Sequence, residues 1–180
     1  MAERRRSIHT GHRQRVKDEF SARGLAGWPD HRVLELLLYY AIPQGDVNGL
    51  AHELVERFGS LAGVLDAAEE ELCRVPGVGQ HTAVLLKLIP AAGARYLQSR
   101  ADLGEPVRRT EDAYALLEPY FFGARNEMIY LLALDGKNKP LGVRKVAEGS
   151  ICAANINLRR IMEEAAALRA PQIYLAHNQI

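Results

Sequence analysis

The sequence predicts an α+β protein, in which an all-α helical bundle precedes a mixed α/β domain. Apolar residues recur at helical spacing through residues 10–97. Further along, the pattern changes to continuous apolar runs of strand length, beginning with residues 128–134. A polar segment with glycine and proline, residues 98–109, separates the two patterns. We therefore expect two domains, at residues 1–100 and 107–180.

Composition narrows the functional classes. The 180 residues are 48% hydrophobic, which suffices for one large or two small cores. A net charge of +1 gives no global signal for a nucleic-acid-binding protein, so such a function must rest on local clusters. The two cysteines, Cys73 and Cys152, form neither a metal-binding spacing nor a disulfide framework, which favours a reducing cytoplasm. Neither a signal peptide nor a membrane-spanning apolar run is present, so no membrane partner is expected.

The helical bundle is predicted to surround one buried helix. Residues 31–40 are apolar nearly all round, interrupted by Glu35, and Leu37 is expected in the core. Asp30 is the expected N-cap of this helix. Before it, a helix is predicted from Gly11 to Gly24. After it come a helix capped by Asp46, which ends at Gly59, and a short helix capped by Ser60.

The bundle is organised around a turn with two glycines, Gly77 and Gly79, one residue apart. Helices are predicted on both sides, over residues 67–74 and 82–97, with Lys87 facing away from the core of the second helix. Glycines allow a ligand close to the backbone, and a helix N-terminus attracts anions. The pattern resembles the helix-hairpin-helix motif of non-sequence-specific DNA-binding proteins; the alternative is an ordinary helical hairpin. The residues expected to contact DNA are Gly77, Val78, Gly79, Gln80, His81 and Thr82.

A basic cluster at the N-terminus could add electrostatic contacts to DNA. It consists of Arg4, Arg5, Arg6, Arg13, Arg15 and Lys17, opposed by Glu3 alone. Such an arm can lie along phosphates and release counterions. The alternative is a solvated and frayed terminus.

The second domain is predicted to contain three strands and two helices. The strands are expected at residues 128–134, 141–149 and 172–177, with a hairpin turn at residues 135–138. The helices are expected at residues 111–117 and 157–170. The order of these elements indicates a mixed α/β domain.

The whole chain resembles the RadC family, bacterial proteins named for DNA repair. The similarity extends from Gly11-His12-Arg13 through Pro76-Gly77-Val78-Gly79 and Leu134-Asp135-Gly136-Lys137-Asn138 to Leu175-Ala176-His177-Asn178. The resemblance implies a helix-hairpin-helix bundle followed by a JAMM/MPN domain, a cytidine-deaminase-like fold with zinc metallopeptidase chemistry. In that family two histidines in a His-x-His pair and an aspartate hold zinc, and a glutamate acts as general base.

The resemblance places the glutamate at Glu127 and the first histidine at His177. Gln179 stands where the second histidine is expected, and the sequence ends at Ile180, before the family's serine and aspartate. An amide oxygen is a poor zinc ligand beside imidazole. We therefore expect an incomplete, C-terminally truncated site that holds no zinc, with Glu127 and His177 as its remaining residues, or as ordinary polar residues at strand ends.

Two functional classes follow. One is a DNA-associated protein with a zinc-hydrolase-like domain; the other is a non-catalytic module that binds DNA or protein. For this chain binding without catalysis is favoured. The sequence further predicts an open sheet edge in the C-terminal domain, through which the chain self-associates unless that half is loosely packed.

Overall fold

The computed structural model describes residues 2–100, 103–149 and 157–179, with side chains from residue 11 onwards. Contacts divide the chain into two compact units, the helical unit Met1–Ile89 and the sheet unit Pro90–Ile180. The elements, in chain order, are α1 Ala2–Arg23, α2 Asp30–Ala41, α3 Asn48–Phe58, α4 Leu61–Asp66, α5 Glu69–Leu72, α6 Gln80–Arg100, α7 Thr110–Leu117, a 3-10 turn Glu118–Phe121, β1 Met128–Leu134, β2 Pro140–Glu148, α8 Leu158–Ala167 and β3 Gln172–His177.

The helical unit has one apolar core, and α2 supplies most of its centre. Leu34 and Leu38 are completely buried there, because they lie one turn apart on the face that packs against α3 and α4. Leu37 is only partly buried, so the sequence prediction chose the wrong leucine of this helix. The predicted central position of the helix itself is correct.

Glu35 is the unexpected member of that core. Its side chain is 3% exposed, although the apolar pattern of α2 treats it as an interruption. The Tyr39 hydroxyl donates a hydrogen bond of 2.7 Å to Glu35 Oε1, and His12 Nε2 of α1 lies 3.1 Å from the same oxygen. Burial, the hydrogen bond and the charge of Glu35 all raise the pKa of Tyr39. A buried carboxylate is tolerated here because it has partners.

Side-chain caps join the short helices of this unit. Ser60 Oγ accepts from the Gly63 N–H at 3.0 Å, as predicted. Asp30 does not cap its own helix; its carboxylate accepts from the Leu61 N–H at 2.7 Å and so ties the start of α2 to the start of α4. Gly63 permits this packing, since a Cβ there would clash with the Phe58 carbonyl oxygen.

The sheet unit contains a three-stranded antiparallel sheet with the order β2-β1-β3. Central β1 is buried on both faces, as its continuous apolar run predicts. Leu131 packs in the same cluster as Ile161 of α8, and Leu132 packs in the cluster of Leu117 of α7. The two helices therefore cover opposite faces of the sheet.

The hairpin between β1 and β2 is held by Asp135. Its Oδ1 accepts from the N–H groups of Lys139 and Lys137 at 2.8 and 2.7 Å. These two hydrogen bonds lower the pKa of the Asp135 carboxyl. Asn138 takes a positive φ of 61°, which asparagine tolerates well. The turn predicted at residues 135–138 is confirmed.

Contacts divide the two units inside α6, at Pro90, and the domain bounds at residues 1–100 and 107–180 stay a prediction. The C-terminal half of α6 packs within the sheet unit, where a Cβ on Gly93 would lie 3.2 Å from the Phe122 ring. Among the described residues, no helix combines the length and apolar character needed to cross a bilayer.

Candidate functional site

The two-glycine turn precedes the N-terminus of α6. Gly77 takes a φ of +91°, which side chains with a Cβ rarely adopt, and its Cβ position lies 3.5 Å from Leu50 Cδ2. Val78 is buried and fixes the turn to the core, and its N–H donates to the Val75 carbonyl at 3.0 Å. Gly77 and Val78 therefore shape the turn, and the Val78 N–H is already used within the protein.

The next residues form an exposed helix N-terminus. The Gly79 carbonyl accepts the first helical hydrogen bond, from the Ala83 N–H at 3.0 Å. The N–H groups of the first helical turn have no acceptor inside an α-helix, which leaves those of Gln80 and His81 for other partners. Gly79, Gln80 and His81 are exposed, and a Cβ on Gly79 would meet nothing within 4 Å. Thr82 is buried, so its side chain is not on this surface.

Acidic side chains lie beside this N-terminus. The Gln80 amide donates to the carboxylate of Glu69, the first of three glutamates in α5. The Cys73 thiol donates to Gln80 Oε1 at 3.7 Å. The negative charge of α5 opposes an incoming anion, so binding at this turn is expected to be weak.

The second turn of the same kind, between α3 and α4, already has its N–H groups satisfied. Gly59 takes a φ of +85° and leads into α4, as Gly77 leads towards α6. There Asp30 and Ser60 accept from the N–H groups of α4. Oxygen acceptors of the protein thus occupy the first turn of α4, whereas the first turn of α6 is open to solvent.

The predicted basic cluster divides into different environments. Arg13 donates to the carbonyl oxygens of Ile42, Pro43 and Gly45, at 2.9, 2.9 and 2.7 Å. Its guanidinium therefore holds the segment between α2 and α3, a structural role that the sequence did not indicate. Arg15 is exposed. The side chains of Arg4, Arg5 and Arg6 lie outside the described residues, although the backbone of α1 is helical from Ala2.

The sheet unit brings the two residues of the implied hydrolase site to the same end of the sheet. His177, the last residue of β3, pairs with Ile129 of β1, and Glu127 lies two residues before Ile129. Glu127 directly precedes β1, so it lies at the same end of the sheet as His177. The Glu127 carbonyl accepts from the Gly149 N–H at 2.9 Å, which extends the pairing of β1 with β2.

Asn178 secures this end of the sheet, and the sequence prediction assigned it no role. Its Oδ1 accepts from the Met128 N–H at 2.6 Å, and its Nδ2 donates to the Asn126 carbonyl at 3.2 Å. One amide thus fixes the backbone on both sides of Glu127. The position of this asparagine directly after the strand-terminal histidine was the sequence feature that could have indicated its structural role.

The described residues do not fit the zinc site that the resemblance implies. They contain no group of three or more histidine, cysteine, aspartate or glutamate residues arranged to hold a metal. Of the implied ligands, His177 is present and Gln179 replaces the second histidine. A glutamate and a single imidazole do not make the three-ligand set of a catalytic zinc centre.

Comparison with known proteins identifies the class of the sheet unit. The family described as "RadC-like JAB domain" matches residues 107–179, so this unit is a JAB domain. A UPF0758 protein of Rhodobacter capsulatus is 33% identical over 167 residues, covering 91% of this chain and 76% of the relative. A UPF0758 protein of Ruegeria pomeroyi is 29% identical over 167 residues, covering 93% and 75%. The chain belongs to the RadC family.

Proposed function

We propose that the helical unit binds the DNA backbone without sequence preference, as a helix-hairpin-helix module. The observation that carries the proposal is the open N-terminus of α6, at Gly79, Gln80 and His81. Its N–H groups and the positive end of the helix dipole attract a phosphate oxygen. Phosphate contacts position a protein on DNA and carry no sequence information, which is why no base preference is expected.

Comparison of the N–H groups at the N-termini of α4 and α6 supports anion binding at the N-terminus of α6. At that turn the Asp30 carboxylate already accepts from the Leu61 N–H, and Ser60 accepts a second N–H. The protein therefore satisfies one of its two glycine turns with its own oxygen acceptors. At the other turn an external phosphate can supply the missing acceptor.

We expect the helical unit to bind DNA weakly and with an affinity that depends on salt. Glu69 lies close to Gln80 and reduces the positive potential at the turn. Arg74, in the turn between α5 and Gly77, is exposed and can approach a neighbouring phosphate. Because such contacts release counterions, affinity should fall as the salt concentration rises.

The described part of the sheet unit supplies too few ligands for us to propose a catalytic step there. Its family implies zinc hydrolase chemistry, in which zinc would activate water. The described residues supply His177 without the other ligands, so no catalytic step is assigned to Glu127. The alternative function is a protein-binding module, which is favoured if no DNA binding is found.

Gly79→Asp tests the proposal. The substitution places a carboxylate at the expected phosphate position, and no atom within 4 Å opposes the new Cβ. We expect affinity for labelled duplex DNA, measured by fluorescence anisotropy, to fall at least tenfold. Gly136→Asp adds the same charge at an exposed hairpin glycine of the sheet unit, where a Cβ is also unopposed, and should bind as wild type. Equal affinity of Gly79→Asp and wild type would contradict the proposal.

A further inference from the structure

Strand β3 forms one edge of the sheet, so its outer side pairs with no other strand of the described residues. The Asn178 N–H, directly after β3, donates to the Met128 carbonyl, so the main chain of Asn178 faces β1. In an antiparallel pair, alternate residues direct their N–H and C=O groups towards the partner strand. Because the pairing of β1 with β3 continues without a register shift, the main-chain groups of Ile173, Leu175 and His177 face away from β1.

The two edges of the sheet differ in charge. The other edge strand, β2, carries Arg144, Lys145 and Glu148, and it begins with Pro140, which has no N–H to donate. Charged side chains and proline are features by which edge strands avoid pairing with another chain. β3 contains no lysine, arginine, aspartate or glutamate, and Leu175 is 49% exposed. The outer side of β3 therefore lacks the protection that β2 has.

Two exposed apolar side chains of α8 lie on the side of that helix nearer to β3. Ile161 packs into the apolar cluster of β1, and the Arg160 guanidinium, on one side of it, reaches a carbonyl oxygen of β2 at 3.4 Å. Because successive helical residues are about 100° apart, Met162 projects on the opposite side, towards β3, and Leu158 lies one turn before it. These two side chains are 65% and 70% exposed. Leu175 is on the same face of the sheet, since its partner in β1 belongs to the cluster of Ile161.

We propose that β3 pairs antiparallel with β3 of a second copy of this chain, around a two-fold axis that passes beside Leu175 perpendicular to the sheet. In such a pair the central residue lies opposite itself. This register also opposes Ile173 to His177 of the second copy, so all three outward-facing residues form their main-chain hydrogen bonds. A register centred on Ile173 would instead oppose Leu175 to Pro171, which has no N–H. The proposal is independent of DNA binding by the helical unit.

The uncharged, apolar character of β3 favours a second copy as the partner. No like charges meet when this strand pairs with itself, and a perpendicular two-fold axis keeps equivalent side chains on the same face. The two copies of Leu175 therefore cover each other, and Met162 and Leu158 of both copies lie on that face. Stable interfaces bury about 1,200–2,000 Å² in total, and a strand of six residues contributes only part of such an area. The dimer is accordingly weak and depends on protein concentration.

Sedimentation velocity of the full chain over a wide range of concentration tests the proposal. We expect wild type to shift from monomer to dimer as the concentration rises. Leu175→Lys and Leu175→Glu should each raise the dissociation constant of the dimer about tenfold or more, because like charges then lie opposite each other. An equimolar mixture of the two variants should dimerise again, since lysine then faces glutamate. Leu141→Lys is the matched control, because Leu141 is 42% exposed on the opposite edge strand, and it should dimerise as wild type.

Leu175→Pro tests the main-chain part of the pairing without adding charge. It removes an N–H that faces away from β1, a position at which an edge strand tolerates proline, and it should also weaken the dimer. Circular dichroism melts should show that each variant folds. A wild-type chain that stays monomeric at every concentration would overturn the proposal. Association that survives both the Leu175 charge variants and Leu175→Pro, or that Leu141→Lys weakens equally, would overturn it as well. Failure of the mixed variants to dimerise would contradict the register centred on Leu175.

Discussion

The hydroxyl of Tyr39 offers a sharp test of how the helical unit is held together. Tyr39→Phe removes one oxygen and keeps the ring, so packing against the core is conserved. The lost hydrogen bond is 2.7 Å long and reaches Glu35, which is 3% exposed. Hydrogen bonds to charged groups contribute about 1.5–3 kcal/mol, and we expect the substitution to cost that much.

Urea unfolding monitored by tryptophan fluorescence measures this cost in the full chain. Trp28 is the single tryptophan and lies in the helical unit, so the signal reports that unit. Tyr40→Phe is the control, since the hydroxyl of this exposed residue should contribute less than about 0.5 kcal/mol. A cost below about 0.5 kcal/mol for Tyr39→Phe would refute the inference that Glu35 is buried and needs this donor.

The same pair gives a pH dependence with a defined sign. The pKa of Tyr39 is raised in the folded protein above the value of about 10 expected in the unfolded chain. The stabilisation is therefore complete below pH 10 and is lost as the pH rises through the higher folded value. The stability difference between wild type and Tyr39→Phe should stay constant from pH 7 to about pH 9 and shrink above that range.

Three further predictions concern other parts of the chain. In urea melts, Gly63→Ala should destabilise the helical unit by more than about 2 kcal/mol, because the new Cβ would clash with the Phe58 carbonyl oxygen. Gly49→Ala is the matched control: its Cβ meets no atom within 4 Å in α3, and the substitution should stabilise the unit by up to about 1 kcal/mol. The hydrogen bonds that lower the pKa of Asp135 stabilise the hairpin above about pH 4, and this stabilisation is lost as the pH falls through the lowered pKa of the folded protein. Asp135→Ala removes these hydrogen bonds and should therefore weaken the protection of the Lys139 amide from hydrogen exchange at pH 7. Metal analysis of the purified chain should find no stoichiometric zinc, and about one equivalent would mean that ligands other than those of the family's zinc site complete a site with His177.

The periodic parts of the fold could be predicted from the sequence. Strand β3 has the predicted bounds, and the burial of β1 on both faces follows from its uninterrupted apolar run. Periodicity failed where one polar group serves a distant element. Glu35 looked like an interruption but is buried against His12, and Asp30 caps α4 instead of its own helix. Such partners are 23 and 31 residues away, and no local pattern encodes them.

The prediction for Lys87 was also wrong because its partner is distant in the sequence. Lys87 was expected to face away from the core, yet its Nζ donates to the Leu65 carbonyl at 2.6 Å. A lysine can lay its apolar stem along the core and still reach a carbonyl at its tip. Of the turn residues predicted to contact DNA, Val78 and Thr82 are buried, which follows from packing of the turn rather than from its glycine pattern.

Phosphate recognition at the N-terminus of α6 can be tested by one anisotropy titration, of duplex DNA against wild type, Gly79→Asp and Gly136→Asp at two salt concentrations. We expect weak binding by wild type and Gly136→Asp that falls as salt rises, and a loss of at least tenfold in Gly79→Asp, with unchanged thermal stability in all three. Binding that ignores salt, or that Gly79→Asp retains, would contradict a phosphate site at this helix end.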